Sequence, residues 1–478
     1  MKNKKEERRN KKRGRSLMSV LCLAVTVMLL VMGSFMTGCK PKTKGPEDPG
    51  PIVPVVDDSP DDIQYMIWQL TNTHQTAVEY YVQEMKILYG ENDPASKRVY
   101  GFGMVGPMLL NQSIEQMQEV INIGFDLAER YNVPVYFQID DQNNYTTLFG
   151  DDADIHFYED PMMCEWIDFP EPGEAYGGEQ YGRPPRYWFD WGSWMYAPAA
   201  PNFESPGYKK LLRRNITEGV LRPLTQRYAK LLAQDKGWLF AGLAAGWETH
   251  IKYQANGGPM ASMPVASNGE VMQEFESRQF GYGALHALGY TRRSIRREAE
   301  EKGLRETEMI EGILYDVIAN HILSMCKLYA GAGLARHKIF THIVSLSSSS
   351  MFTTSTFAPP IWTAVNEYSV AGYTMSPVSC PFDLDVINKE INKKIPGRNE
   401  FAVTEGYCAG YREEHEAEAY FKEFYGGNCR LLTAFGYTDK TVTFAFNRSP
   451  NFGFVKAFNR WKDGEILPGF VWSERGAE

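Results

Sequence analysis

The sequence predicts an α/β protein built as a (β/α)8 TIM barrel with long loops after the third and fourth strands. Three observations carry this prediction: eight short β-rich runs, helical patterns between several of them, and a length of 478 residues, which suits one barrel with insertions. Hydrophobic residues make up 43% and charged residues 23%, so wholesale disorder and coiled coil are excluded.

The predicted strands alternate with helices along the chain. Helices are expected over 113–131, over 208–234, over 291–332 as two helices, and over 414–424. Strands separated by helices pair in parallel, and eight of them favour a closed barrel. A doubly wound open sheet is the alternative, but no Gly-rich dinucleotide turn or P-loop follows any strand. The eight predicted strands are 64–71, 98–105, 134–140, 238–247, 338–345, 368–375, 400–405 and 430–437.

The first 61 residues predict a targeting segment and a tether. Nine basic residues within 2–15 precede an apolar run over 17–36, which is typical of a secretory signal. The run ends in Met-Thr-Gly-Cys39, which resembles a bacterial lipobox and implies lipidation of Cys39 after cleavage. A transmembrane anchor is the alternative, because about 20 apolar residues span a bilayer. We expect a signal peptide at 1–38, a Pro-rich tether at 39–61, a barrel at 62–478, and a lipid-anchored place at the bacterial cell envelope.

Charge and residue counts exclude several classes of function. The net charge is −9 and becomes −16 when the predicted signal peptide is removed, so nucleic acid is not an expected partner. The seven Cys contain no CxxC pair and the eight His contain no HExxH motif, so we predict no metal. No cofactor is predicted either, and no GxSxG nucleophile elbow is present.

Two predicted loops are unusually long. They cover 142–205 and 249–290 and follow the third and fourth strands, so in a barrel they lie at the C-terminal face, where active sites sit. An aromatic cluster at 187–196 includes Trp191 and Trp194, which we expect to stack on sugar faces; packing of the loop onto the barrel is the alternative.

Carboxylates at two strand ends are the strongest chemical signal. Glu248 follows the apolar run of the fourth strand, and Glu405 ends the seventh. Because parallel strands of a barrel converge on one mouth, the two side chains can face each other across a cleft. Such a pair is what glycoside hydrolysis needs. A merely solvated strand end is the alternative for each Glu.

Glu residues on strands four and seven of a barrel resemble those of the clan A glycoside hydrolases. The stretch 201–248 is similar to the family 42 β-galactosidase segment that leads into the acid/base Glu, and 401–410 is similar to that family's nucleophile strand. A sibling family fits as well. The resemblance implies a retaining hydrolase of a β-galactoside or β-mannoside, with an oligo- or polysaccharide substrate, Glu248 as acid/base and Glu405 as nucleophile.

Two departures from that family leave a second function open. Trp247 stands where clan A enzymes have Asn, and Thr374-Met375-Ser376-Pro377 replaces Asp-x-Tyr-Pro on the sixth strand. A non-catalytic glycan-binding surface lipoprotein on the same scaffold is therefore the alternative. A solute-binding transport lipoprotein is third, but no boundary between two lobes is visible. The candidate substrate-binding residues are Asp140, Asp141, Trp191, Trp194, Trp247, His250, His342 and Tyr373.

Overall fold

The computed structural model describes the core of the chain and parts of its loops. The described residues are 52, 54–70, 73–143, 151–177, 184–185, 187–190, 194–197, 199–254, 278–344, 358–375, 383–406, 413–435 and 453–465.

Eight parallel strands form a closed barrel, which confirms the predicted fold class. The strands pair in chain order, and β8 returns to β1 with Leu431 opposite Tyr65. A bridge between Phe340 and Val370 joins β5 to β6 and completes the ring. All eight predicted strands are present, with ends that differ by a few residues. They are β1 Gln64–Leu70, β2 Arg98–Met108, β3 Val135–Asp140, β4 Phe240–Ala245, β5 Ile339–Thr341 with Ile343–Val344, β6 Ala371–Met375, β7 Phe401–Gly406 and β8 Cys429–Phe435.

The strands are buried on both faces, because side chains fill the barrel interior and helices cover its outside. Every residue of β1, β2 and β3 is buried, which explains why these runs are apolar almost throughout. Helices occupy all the predicted stretches, and the described residues also form helices at 75–89, 282–287, 384–394 and 453–462, which were not predicted from the sequence. The helices are α1 Gln75–Tyr89, α2 Ile114–Tyr131, α3 Pro206–Arg214 continued by Asn215–Leu221 and Arg222–Leu232, α4 Tyr282–Ala287, α5 Arg292–Lys302, α6 Glu306–Gly331, α7 Leu384–Lys394, α8 Glu414–Gly426 and α9 Gly453–Lys462.

Local signals in the sequence begin and end these helices. The Ser113 hydroxyl accepts a hydrogen bond from the Gln116 amide at 3.3 Å, and the Gln116 side chain accepts one from the Ser113 amide at 3.0 Å. This reciprocal cap starts α2 where the sequence predicted it. The helix α6 is long and apolar enough to cross a membrane by length and composition, but it packs on β5 and α5, and 56% of its most apolar stretch is buried.

The end of the predicted tether is docked on the barrel. The Val55 amide donates to the Ala332 carbonyl at 3.0 Å, and the Asp57 carboxylate accepts from the Ala335 amide and the Tyr228 hydroxyl at 3.0 and 2.7 Å. These partners precede β4 and β5, so residues 54–61 cross the N-terminal face of the barrel, opposite the mouth.

The two long loops contact each other above the C-terminal face. The buried Glu165 carboxylate accepts from the amides of Gly283 and Ala284, and burial raises the pKa of Glu165 to about 8 against the effect of these hydrogen bonds. Trp166 and Tyr176 stack at a centroid distance of 4.6 Å. The described loop segments are therefore packed structures. They also carry a short antiparallel hairpin, Tyr187–Asp190 with Trp194–Ala197, and a separate antiparallel strand pair, Tyr253–Gln254 with Arg278–Gln279.

Candidate functional site

Glu248 and Glu405 come together at the C-terminal mouth of the barrel. Glu248 lies three residues past the end of β4, and Glu405 is the penultimate residue of β7. A carboxylate oxygen of one lies within 4.8 Å of a carboxylate oxygen of the other. Glu248 is buried, whereas Glu405 keeps part of its surface in contact with solvent. The arrangement is a close acidic pair that is partly accessible from the mouth.

A strained turn after β4 directs Glu248 into the mouth. Gly246 has φ +97°, and a Cβ at this position would lie 2.0 Å from Thr249 Oγ1, so no larger residue fits. Glu248 itself has φ +48°, a left-handed conformation that costs a non-glycine residue about 1–2 kcal/mol. Such strain persists only where the surroundings impose it, and it is concentrated at functional sites.

Each carboxylate has a dedicated hydrogen-bond donor. The Thr374 hydroxyl donates to Glu248 Oε1 at 2.9 Å, and the Trp247 indole N–H donates to Glu405 Oε2 at 2.9 Å. Thr374 belongs to β6, where it lies directly opposite Glu405 in the strand register. The two donors hold the carboxylates in defined orientations although the charges repel each other.

The pair favours a state with a single proton. Burial raises the pKa of Glu405 well above its ordinary value, and the negative charge of Glu248 raises it further, whereas the Trp247 hydrogen bond acts in the opposite direction. Two close carboxyls titrate as a unit, so one group takes up a proton while its neighbour is ionised. The site can therefore hold one acid and one carboxylate at the same time.

A polar chain crosses the barrel interior and ends at Glu248. His342 Nε2 lies 2.7 Å from the Thr374 hydroxyl, and His342 Nδ1 lies 2.5 Å from Gln138 Nε2. Gln69 donates to Gln138 Oε1 at 2.9 Å. Burial lowers the pKa of His342 to about 3, so its imidazole is neutral at physiological pH.

Glu248, His342 and Glu405 are also a set whose ligand atoms are near enough to hold a metal ion. Both ring nitrogens of His342, however, are within hydrogen-bond distance of Thr374 or Gln138. An ion would have to displace one of these contacts, so the donor set fits a hydrogen-bonded acidic pair better than a metal centre. The absence of a metal stays a prediction.

Asp140 and Asp141 accept hydrogen bonds from protein donors, and their contact with substrate stays a prediction. Both are buried. Asp140 accepts from the amides of Gln142 and Asn143, and Asp141 accepts from the Trp247 amide at 3.2 Å. Protein donors therefore occupy these carboxylates, and Asp141 supports the turn that carries Glu248.

His250 and Tyr373 are bound by protein partners, and their contact with substrate stays a prediction. His250 is buried, with Nδ1 at 3.0 Å from Gln142 Nε2 and Nε2 at 3.1 Å from the Lys252 ammonium. The Tyr373 hydroxyl donates to the Ile361 carbonyl at 3.3 Å, within the outer layer. Successive residues of a strand face opposite sides, so the neighbouring Thr374 reaches the acidic pair instead.

Three predicted residues lie partly or wholly beyond what the structure describes. Cys39 and Trp191 are outside the described residues, and of Trp194 only the backbone, in the short hairpin 187–197, is described. Trp247 and His342, in contrast, are at the site, where each acts on another protein side chain.

Sequence reasoning missed the residues that hold the site together. Thr374, Gln138 and Gln142 are ordinary polar residues within or after strands and carry no motif. Gln142 Nε2 donates to the Glu248 carbonyl at 2.8 Å, and His321 Nε2 lies 2.8 Å from the Asp141 carboxylate. The only available signal was a polar side chain inside an otherwise apolar strand, as at Gln69 and Gln138.

No family model matches the chain, and no curated protein matches it. Among solved structures, the chain is similar to the catalytic domain of β-amylase from Paenibacillus polymyxa, with 10% identity, 86% of this chain and 100% of that chain covered, and a TM-score of 0.48. The barrel assignment rests on the strand pairing described above.

Proposed function

We propose that the protein is a retaining glycoside hydrolase that cleaves a β-linked glycan of the β-galactoside or β-mannoside type. The observation that carries the proposal is the pair Glu248 and Glu405 at the mouth of a closed barrel, with carboxylate oxygens within 4.8 Å of each other. In retaining enzymes the two carboxyl groups are about 5–5.5 Å apart, whereas inverting enzymes need about 6.5–9.5 Å to admit a water molecule. The separation supports retention.

The two carboxyl groups divide the chemistry between them. In the first step Glu405 attacks the anomeric carbon, the bond to the leaving oxygen breaks, and Glu248 gives that oxygen its proton. In the second step Glu248 takes a proton from water, the water oxygen attacks the anomeric carbon, and the bond to Glu405 breaks. These roles follow the resemblance to clan A, and they require the proton of the pair to lie on Glu248 although burial and the charge of Glu248 raise the pKa of Glu405.

Alanine variants of the pair test the proposal. We expect Glu248→Ala and Glu405→Ala each to reduce kcat on aryl β-galactosides or β-mannosides by about 10³-fold or more, because the first variant loses the acid/base and the second loses the nucleophile. Glu367→Ala is the matched control: Glu367 is exposed and precedes β6, at the opposite end of the barrel. Wild-type rates in both pair variants would contradict the assignment.

The stereochemistry of the first product tests the mechanism separately. Proton NMR of the sugar released early in the reaction should show the same anomeric configuration as the substrate. An inverted product would still be consistent with a glycoside hydrolase, but it would exclude the double-displacement mechanism.

A glycan-binding protein without catalysis is the second candidate, and Trp247 favours it. The indole replaces the Asn expected from the resemblance, and its N–H is directed at Glu405 rather than at a ligand. This candidate predicts that calorimetry detects glycan binding while no glycan in the same panel is cleaved. This candidate would be excluded if the protein hydrolysed a glycan and the Glu405→Ala variant did not.

We also propose that Cys39 carries a lipid that anchors the protein at the bacterial cell envelope. The docking of residues 54–61 on the N-terminal face supports an orientation in which the mouth is directed away from the membrane. Cys39→Ser should move the protein from the membrane fraction to the soluble fraction. Continued membrane association of that variant would favour the transmembrane alternative.

A further inference from the structure

The Thr374 hydroxyl lies between two groups, and only one of them can receive its single hydrogen. It is 2.7 Å from His342 Nε2 and 2.9 Å from Glu248 Oε1. In the first arrangement Thr374 donates to Glu248 and accepts from a protonated His342 Nε2. In the second, Thr374 donates to His342 and accepts from a proton on Glu248 Oε1. The two arrangements place the catalytic proton on different oxygens.

The contacts of His342 Nδ1, on the opposite side of the imidazole ring from Thr374, decide which of the two arrangements is present. Gln138 Nε2 lies 2.5 Å from His342 Nδ1 and 3.1 Å from the Gly246 carbonyl, which can only accept. The orientation of this amide is fixed in turn by Gln69, whose Nε2 donates both to Gln138 Oε1 at 2.9 Å and to the Thr404 carbonyl at 3.0 Å. An amide N–H₂ group only donates, so Nδ1 accepts and the hydrogen of the neutral ring is on Nε2.

The direction of donation along the hydrogen-bond chain from Gln138 through His342 and Thr374 to Glu248 does not change with pH in the range in which glycoside hydrolases work. His342 is fully buried among β3, β5 and β6, and burial lowers its pKa to about 3. Among the residues that the structure describes, the carboxylates of Glu248 and Glu405 lie close to its ring nitrogens. His342 therefore stays neutral and donates to Thr374, which must donate onward to Glu248.

We propose that Thr374 and His342 are positioning residues that confine the transferable proton of Glu248 to Oε2. Glu248 Oε1 accepts the Thr374 hydrogen whether Glu248 is ionised or protonated. A proton bound to Oε1 would be directed at that hydrogen and repelled by it, so the proton binds Oε2 instead. This inference rests on the proposed function, in which Glu248 is the acid/base. When Oε2 passes its proton to the leaving oxygen and the C–O bond breaks, the Thr374 hydroxyl stabilises the carboxylate that remains.

Two substitutions at Thr374 and two substrates test the proposal. Thr374→Val keeps the shape of the side chain and removes the hydroxyl, whereas Thr374→Ser keeps the hydroxyl. On a 4-nitrophenyl β-glycoside we expect Thr374→Val to lose about 10- to 100-fold in kcat/KM, because that leaving group needs its proton. On the 2,4-dinitrophenyl glycoside, which leaves with little protonation, the loss should stay within about threefold. Thr374→Ser should behave as wild type on both.

His342 should act only through Thr374. His342→Leu is expected to show the same selective loss on the 4-nitrophenyl substrate, and the double variant with Thr374→Val should be no worse than either single variant. Equal losses on both substrates, additive losses, or failure of Thr374→Ser to restore activity would overturn the proposal. Thermal unfolding of each variant shows whether it is folded.

The tautomer of His342 can be measured without any turnover. Nitrogen-15 NMR of histidine-labelled full-length protein should show a neutral ring protonated on Nε2 from pH 5 to pH 8, with His342→Leu used for assignment. A ring protonated on Nδ1, or a cation at pH 6, would overturn the proposal. If the wild type hydrolyses none of the glycosides, the proposed function fails, and this spectrum still decides the direction of the hydrogen-bond chain.

Discussion

Replacing Glu405 with Gln should make the protein more stable at neutral pH while abolishing turnover. The variant removes the ionisable carboxyl group of Glu405 from the acidic pair and keeps an oxygen that can accept from the Trp247 indole. The nearest carboxylate oxygens of Glu248 and Glu405 are at most 4.8 Å apart. Two unit charges at that distance repel by about 3.5 kcal/mol at an effective dielectric constant near 20. Because protonation of the pair relieves part of this repulsion, we expect a gain of about 2 kcal/mol at pH 7.

The gain should depend on pH in a defined direction. The pKa of Glu405 in the folded protein is raised, chiefly by burial and then by the charge of Glu248, above the ordinary value of about 4.3 in the unfolded chain. Ionisation of Glu405 therefore does not destabilise the wild-type protein below pH ~4, and this destabilisation grows as the pH rises toward the pKa of Glu405 in the folded protein. Thermal unfolding should place Glu405→Gln about 2 °C above wild type at pH 7 for a domain of this size, with almost no difference at pH 4.

Glu400 provides a matched control at the opposite end of the same strand. Burial acts to raise its pKa, but the interaction with Arg336 and smaller contributions outweigh burial and lower it. Its ion pair therefore stabilises the fold above the unfolded pKa, and the stabilisation is lost as the pH falls through the folded pKa. Glu400→Gln should lose about 1–3 kcal/mol at pH 7 and little near pH 3. A Glu405→Gln variant that is less stable than wild type at pH 7, or whose gain does not change with pH, would refute the reasoning.

Three further variants test the support of the site. Gly246→Ala places a Cβ 2.0 Å from Thr249 Oγ1 at φ +97°, so we expect a loss of about 2–4 kcal/mol in urea unfolding together with loss of turnover; normal stability would contradict the strained turn. Asp141→Ala leaves the buried Trp247 amide and Thr249 hydroxyl without their acceptor, and should cost about 3 kcal/mol by the same measurement. Trp247→Phe removes the donor to Glu405 and disfavours its ionised form, so the acidic limb of the pH–activity profile should move up by about one unit; an unchanged limb would contradict this role.

The sequence by itself determined the architecture. Apolar runs of strand length alternate with helical patterns, and the local signals that start and stop these elements, such as the Ser113 cap, act within a few residues. Parallel pairing and closure of eight strands then place every strand end on one face. That is why Glu248 and Glu405, recognised only as carboxylates after strands four and seven, lie together at the mouth.

Only the tertiary structure decided which polar residues near the mouth belong to the acidic pair. Asp140 and His250 carry more obvious chemistry than Thr374, yet they are bound within the protein, whereas Thr374 contacts Glu248. The physical reason is that a side chain's direction depends on strand register, and its hydrogen-bond partners come from distant parts of the chain. Gln69 is fixed by a carbonyl 335 residues away, at Thr404, and no local pattern in the sequence records that contact.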